Sequence, residues 1–146
     1  MNYEDVEILF AEDSVDDAIL TIRALTKSGF TNRLHHVKDG AEALDFIYCK
    51  GMYASRDMKK NPKVILLDLK MPKVTGMQVL EKIKSDPNLK SIPVVILTSS
   101  KEDPDIKKCY ALGANSYIVK PVDSDNFFNA IKEIGMYWMI ISEPSH

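Results

Sequence analysis

Cysteine is scarce in this chain: Cys49 and Cys109 are the only two among 146 residues. They lack the CxxC spacing of a metal or redox pair, so both read as reduced thiols, each inside a predicted helix. Charge of one sign is not in excess either. Nineteen Lys and Arg against 21 Asp and Glu leave a formal net charge of -2. That gives no basic footprint for nucleic acid and no cationic face for an anionic membrane. Long apolar runs are missing, so nothing approaches the length of a membrane span. A secretory leader is not expected, because Met1-Asn2-Tyr3-Glu4-Asp5 is acidic where a leader is basic. A cytoplasmic location follows as the expectation. Without repeats, low-complexity stretches or a linker, the chain predicts a single domain over residues 1–146, with its core at about 6–134.

What the chain does contain is a series of short, branched apolar runs. Ile8-Leu9-Phe10-Ala11, Val64-Ile65-Leu66-Leu67, Val94-Val95-Ile96-Leu97 and Tyr117-Ile118-Val119 fit strands covered on both faces of a parallel sheet. Arg33-Leu34-His35-His36-Val37 is more polar and fits an edge. Adjacent histidines on a strand point to opposite faces, so His35 and His36 cannot share a ligand and read as edge-strand polar residues. Helix signals follow each strand, which predicts a doubly wound, five-stranded α/β sheet.

The first helix starts at Ser14, where Ser14-Val15-Asp16-Asp17 reads as a capping box, and stops at Gly29. Asp39-Gly40 opens the second, with Ala43, Leu44, Ile47 and Tyr48 on one face. Thr75 and Gln78 cap the third, which carries Leu80 and Ile83 inward and ends before Pro87. Asp103-Pro104 opens the fourth, which Gly113 ends, and Asp123 opens a fifth that buries Phe127, Ile131 and Ile134. Residues 50–62 are long and polar for a helix-to-strand connection and are expected to be a mobile surface segment.

The chemistry lies at the strand ends, the rim where α/β sheets bind ligands. Asp68 closes the third strand and Glu12-Asp13 follow the first. If those strands are neighbours, three carboxylates converge, and like charges so close need a cation or a retained proton. A hard divalent ion such as Mg2+ is the simplest occupant. Thr98-Ser99-Ser100 brings hydroxyls to the same rim and Lys120-Pro121 an ammonium. Carboxylates, a hydroxyl and an ammonium together suit a metal and a phosphoryl group. With Lys70-Met71-Pro72 and Gly76 after the aspartate and Tyr117 before the lysine, the chain resembles a response-regulator receiver domain of two-component signalling. The likeness runs from about residue 6 to about residue 134.

The resemblance implies a flavodoxin-like fold of strand order 2-1-3-4-5. It implies that Asp68 takes a phosphoryl group from a phosphohistidine on a sensor histidine kinase and loses it slowly by self-dephosphorylation. Asp13 and Asp68 would bind Mg2+ directly, Glu12 through water, and Lys70 through its backbone carbonyl. Thr98 and Lys120 would hold phosphoryl oxygens, with a cis peptide between Lys120 and Pro121. Thr98 would move toward the phosphoryl group and Tyr117 follow, changing the face of the fourth helix, fifth strand and fifth helix. In the family, the positions of Lys70 and Ser100 influence attack by water, and a lysine at 70 departs from the amide or small residue often found there. Asp16 and Asp17 lie inside the first helix and read only as dipole-stabilising acids.

Other readings are weighed against this one. A flavodoxin-like cofactor binder would need a hydroxyl- and glycine-rich loop where Glu12-Asp13 stand. An adaptor that never carries phosphate would have no use for the full set of Glu12, Asp13, Asp68, Thr98 and Lys120. A hydrolase working through an aspartyl phosphate normally has an acid where Lys70 is. The terminal run Met136-Tyr137-Trp138-Met139-Ile140-Ile141 reads either as an extension folded back on the domain or as a homodimer or partner surface. Its Tyr-Trp pair resembles the stand-alone receivers that serve phytochrome-type kinases.

Overall fold

A computed structural model describes residues 3–27, 29 and 33–135; the apolar run at 136–141 lies outside them. The strands are β1 (Ile8–Ala11), β2 (Leu34–Val37), β3 (Val64–Asp68), β4 (Val94–Thr98) and β5 (Ser116–Val119). All pair in parallel, in the order β2-β1-β3-β4-β5. The helices are α1 (Val15–Lys27), α2 (Gly40–Ile47), α3 (Gly76–Ser85), α4 (Asp105–Leu112) and α5 (Ser124–Glu133).

The period-two alternation of side chains divides the core between the two faces of the sheet. Ile8, Phe10, Val64, Leu66, Val95, Leu97 and Ile118 pack under α1 and α5, against Leu25, Phe127 and Ile131. Leu9, Ala11, Val37, Ile65, Leu67, Val94 and Ile96 face α2, α3 and α4, against Phe46, Val79, Leu80 and Ile83. Both faces being covered is why β1, β3 and β4 are buried along their whole length and apolar up to Asp68 and Thr98, the last residues of β3 and β4. β2, at the edge, carries the half-buried histidines.

The capping boxes of α3 and α5 form on both sides, through Thr75 with Gln78 and Asp123 with Asn126. Three expectations change. Cys49 is not helical: α2 ends at Ile47, and Cys49 takes a left-handed φ of 56° in the turn that follows. Ile134 caps α5 and is only half-buried, since the helix has already turned its last full contact inward at Ile131.

Residues 50–62 are the third change: most are exposed, as expected of a surface segment, but two side chains anchor them to the domain. Tyr53, in a short 3-10 turn at Gly51–Tyr53, and Arg56 are both buried. Arg56 stacks on Phe46, with its guanidinium carbon 4.0 Å from the ring centre. It donates hydrogen bonds to the Phe46 carbonyl, to Cys49 Sγ at 3.3 Å and to the Lys60 carbonyl at 2.8 Å.

Candidate phosphoacceptor and metal site

Strand register builds the site as a staircase. Ala11 pairs with Leu67, so Glu12 and Asp68 stand side by side at the next step. Asp68 pairs with Leu97, which puts Thr98 one step further, and Thr98 pairs with Val119, so Lys120 follows. Residues far apart in the chain thus line one cavity of about 170 Å³, walled by Glu12, Asp13, Asp68, Lys70, Thr98 and Lys120. Oxygens of Glu12, Asp13 and Asp68 lie within 4.8 Å of one another. Glu12 and Asp68 are buried and Asp13 is exposed.

Lys120 is the charge that makes this arrangement tolerable. Its three N–H donors are met by Asp17 Oδ2 at 2.9 Å, Glu12 Oε1 at 3.0 Å and Asp68 Oδ2 at 3.1 Å. Burial opposes the charge on Lys120, but these three bonds outweigh it and hold the ammonium well above its ordinary pKa. Burial, and then the neighbouring Asp68 carboxylate, push Glu12 up to about 8. A carboxyl so perturbed among oxygen donors fits a divalent cation, which would take the place of its proton. The Lys120–Pro121 peptide is cis, as the resemblance implies.

Neighbouring backbone holds the acids in place. The Lys70 N–H donates to Asp68 Oδ1 at 3.1 Å. Gly76 opens α3 against the backbone of Asp68 and Leu69, where any Cβ would overlap the Asp68 carbonyl. His36 does more than its edge position suggested, since its Nε2 lies 2.7 Å from the Glu12 carbonyl.

Thr98 reaches the rim, but its hydroxyl faces the Ser100 carbonyl and Asp103 Oδ2, each at 3.2 Å. Asp103 also caps the first turn of α4, accepting from the Asp105 N–H at 2.9 Å. It lines the cavity and was missed by the sequence reading, which treated it only as the start of a helix. Tyr117 is not in the cavity. It lies half-buried on β5, edge-on to Tyr110 of α4 with 6.3 Å between ring centres.

Asp17 is the clearest correction, because it is more than a dipole-stabilising acid. The predicted capping box of α1 forms on one side only, with the Asp17 N–H donating to Ser14 Oγ at 3.2 Å. On the other side Glu12 Oε2 accepts the Ser14 N–H, also at 3.2 Å, and the Asp17 carboxylate goes to Lys120 instead.

Residues 8–132 match the family model described as the response regulator receiver domain. The chain belongs to that family. Response regulator Rcp1 of a Synechocystis species is 36% identical over 132 residues, covering 90% of this chain and 88% of that protein. Its Mn(2+)-bound form has been solved and superimposes with a TM-score of 0.71 at 37% identity, over 90% of this chain and 92% of the other. The bacteriophytochrome response regulator RtBRR is 48% identical with a TM-score of 0.83, over 90% of this chain and 78% of that one. The phosphorylated cyanobacterial phytochrome response regulator RcpA is 35% identical with a TM-score of 0.71, over 96% and 97% of the two chains. The receiver therefore works in phosphorylation-based signalling. Among its described residues no helix is long and apolar enough to cross a membrane.

Proposed function

We propose that Asp68 is the phosphoacceptor and that the receiver takes its phosphoryl group from a sensor histidine kinase in the cytoplasm. The observation that carries this reading is the placing of Asp68. It is 4% exposed at the end of a central strand, its two oxygens held by the Lys70 N–H and the Lys120 ammonium. In the transfer, a carboxylate oxygen of Asp68 bonds to phosphorus while the phosphorus–nitrogen bond of the phosphohistidine breaks. The electron pair stays on the imidazole. Such a step asks mainly for positioning and for charge to offset the phosphoryl oxygens.

Lys120 supplies a fixed positive charge on one side. Asp13 and Asp68, with Glu12 behind them and the Lys70 carbonyl nearby, would hold Mg2+ on the other, where it would offset charge on the phosphoryl oxygens. Thr98 would exchange its bond to Asp103 for one to the phosphoryl group. That would loosen the start of α4 and let Tyr117 move against Tyr110, changing the α4-β5-α5 face for a downstream partner. The likeness to RtBRR supports a phytochrome-type kinase as donor.

Incubation with a small acyl phosphate and Mg2+ tests the assignment. One added phosphoryl group should map to Asp68, and Asp68→Asn should take none while keeping the fold intact. Full labelling of that variant would sink the assignment.

A further inference from the structure

We propose that Asp17 is a positioning residue for phosphoryl transfer, holding the Lys120 ammonium over Asp68 from the first turn of α1. The inference rests on the reading of Asp68 as acceptor. A lysine ammonium ends a flexible four-carbon stem, and leaving it in one place costs side-chain entropy that fixed partners must offset. Of its three carboxylate partners, Asp17 is the nearest, at 2.9 Å. Glu12 and Asp68 have other obligations, because both belong to the acid cluster that could hold a metal. Once Asp68 is an acyl phosphate its carboxyl group no longer carries a full charge for Lys120. Asp17 stands outside that cluster and is not the group that is phosphorylated.

The local backbone shows how the acid is released for this task. The third residue of a capping box normally turns back to the N–H of the cap residue. Here Glu12 Oε2 already accepts that N–H from Ser14, so the Asp17 side chain extends across to the β5–α5 loop. One buried glutamate therefore serves the helix cap and the lysine, and frees a second acid to bind the same lysine.

A double-variant cycle with a small acyl phosphate and Mg2+ tests this, following labelling of Asp68 over hours where needed. Asp17→Asn should slow labelling about tenfold, the scale expected when a charged group drifts from a transferring phosphoryl. Asp17→Glu should recover most of the rate. In a Lys120→Ala background, Asp17→Asn should change nothing further. Equal slowing in both backgrounds, or an unchanged rate in the parent, would overturn the role.

The lysine gives an independent readout by NMR. Its ammonium protons, slowed in exchange by the three carboxylates, should be visible in the parent and lost in Asp17→Asn. Their persistence would also overturn the proposal. A parent that takes no phosphoryl group at Asp68 fails at the acceptor reading, and the positioning role falls with it. Normal labelling that is indifferent to Asp17 refutes the positioning role alone.

Discussion

His35 sits in a nest of rings: stacked on Phe46 with 5.2 Å between centres, edge-on to Tyr3 at 5.0 Å, its Nε2 2.8 Å from the Tyr53 hydroxyl. Burial lowers its pKa below the ordinary 6.5; Glu42 opposes the shift, and His36 and Arg56 add to it. On acidification the unfolded chain takes up this proton before the folded one does. The stabilisation from a neutral His35 is therefore complete above about pH 6.5 and is lost as the pH falls through the folded value. His35→Phe should flatten that acid-side loss, which urea melts at about pH 7.5 and about pH 5 would show. An equal loss in parent and variant would assign the acid sensitivity to other groups. The sequence did reveal that the two histidines lie on an edge strand and face opposite ways. It could not reveal the partners of His35, because the rings come from residues 3, 46 and 53. Asp17 escaped for a related reason. A local capping rule explained it fully, and only the approach of Lys120, 103 positions away, gave it other work.

At the scale of the element, the segment after α2 shows where composition misleads. Its polarity suggested a solvated loop, yet Arg56 is 6% exposed and binds carbonyls on both sides of the turn. A guanidinium offers five donors in a plane and can stack on Phe46 at the same time, which no other side chain can match. Arg56→Ala removes that stack and strands buried acceptors, and should cost about 3 kcal/mol by urea denaturation. Arg56→Lys should recover little, since a single ammonium cannot reach Phe46, Cys49 and Lys60 together. A cost within experimental error would mean that the segment adds nothing to the fold. The strands, by contrast, were legible because each signal is local. Branched apolar runs mark β1, β3 and β4, and Gly29, Gly113 and paired caps mark helix ends without help from elsewhere in the chain.

For the whole molecule, metal and stability are linked. With no cation, Glu12 keeps a proton in the folded state up to about pH 8 but loses it near 4.5 when unfolded. Its contribution is therefore fully present below 4.5 and declines as pH rises through 8. A divalent cation held by these acids would have to displace that proton, so the stabilising effect of added Mg2+ should grow over the same range. At a hundredfold excess over Kd the effect should reach about 2.7 kcal/mol. Thermal melts with and without Mg2+ at about pH 6 and about pH 9 would show the trend, and Asp13→Ala should abolish it. A shift independent of pH would remove Glu12 from the account. The staircase of strand ends carries a further consequence, for the order of events during synthesis. Glu12, Asp13 and Asp68 leave the ribosome well before Lys120, and β5 pairs beside β4 at the far side of the sheet. Until that last strand docks, Asp68 is an ordinary aspartate with no ammonium above it. On the proposed reading of Asp68 as acceptor, a chain still lacking β5 would have no fixed ammonium to offset the incoming phosphoryl charge and would take up phosphate poorly.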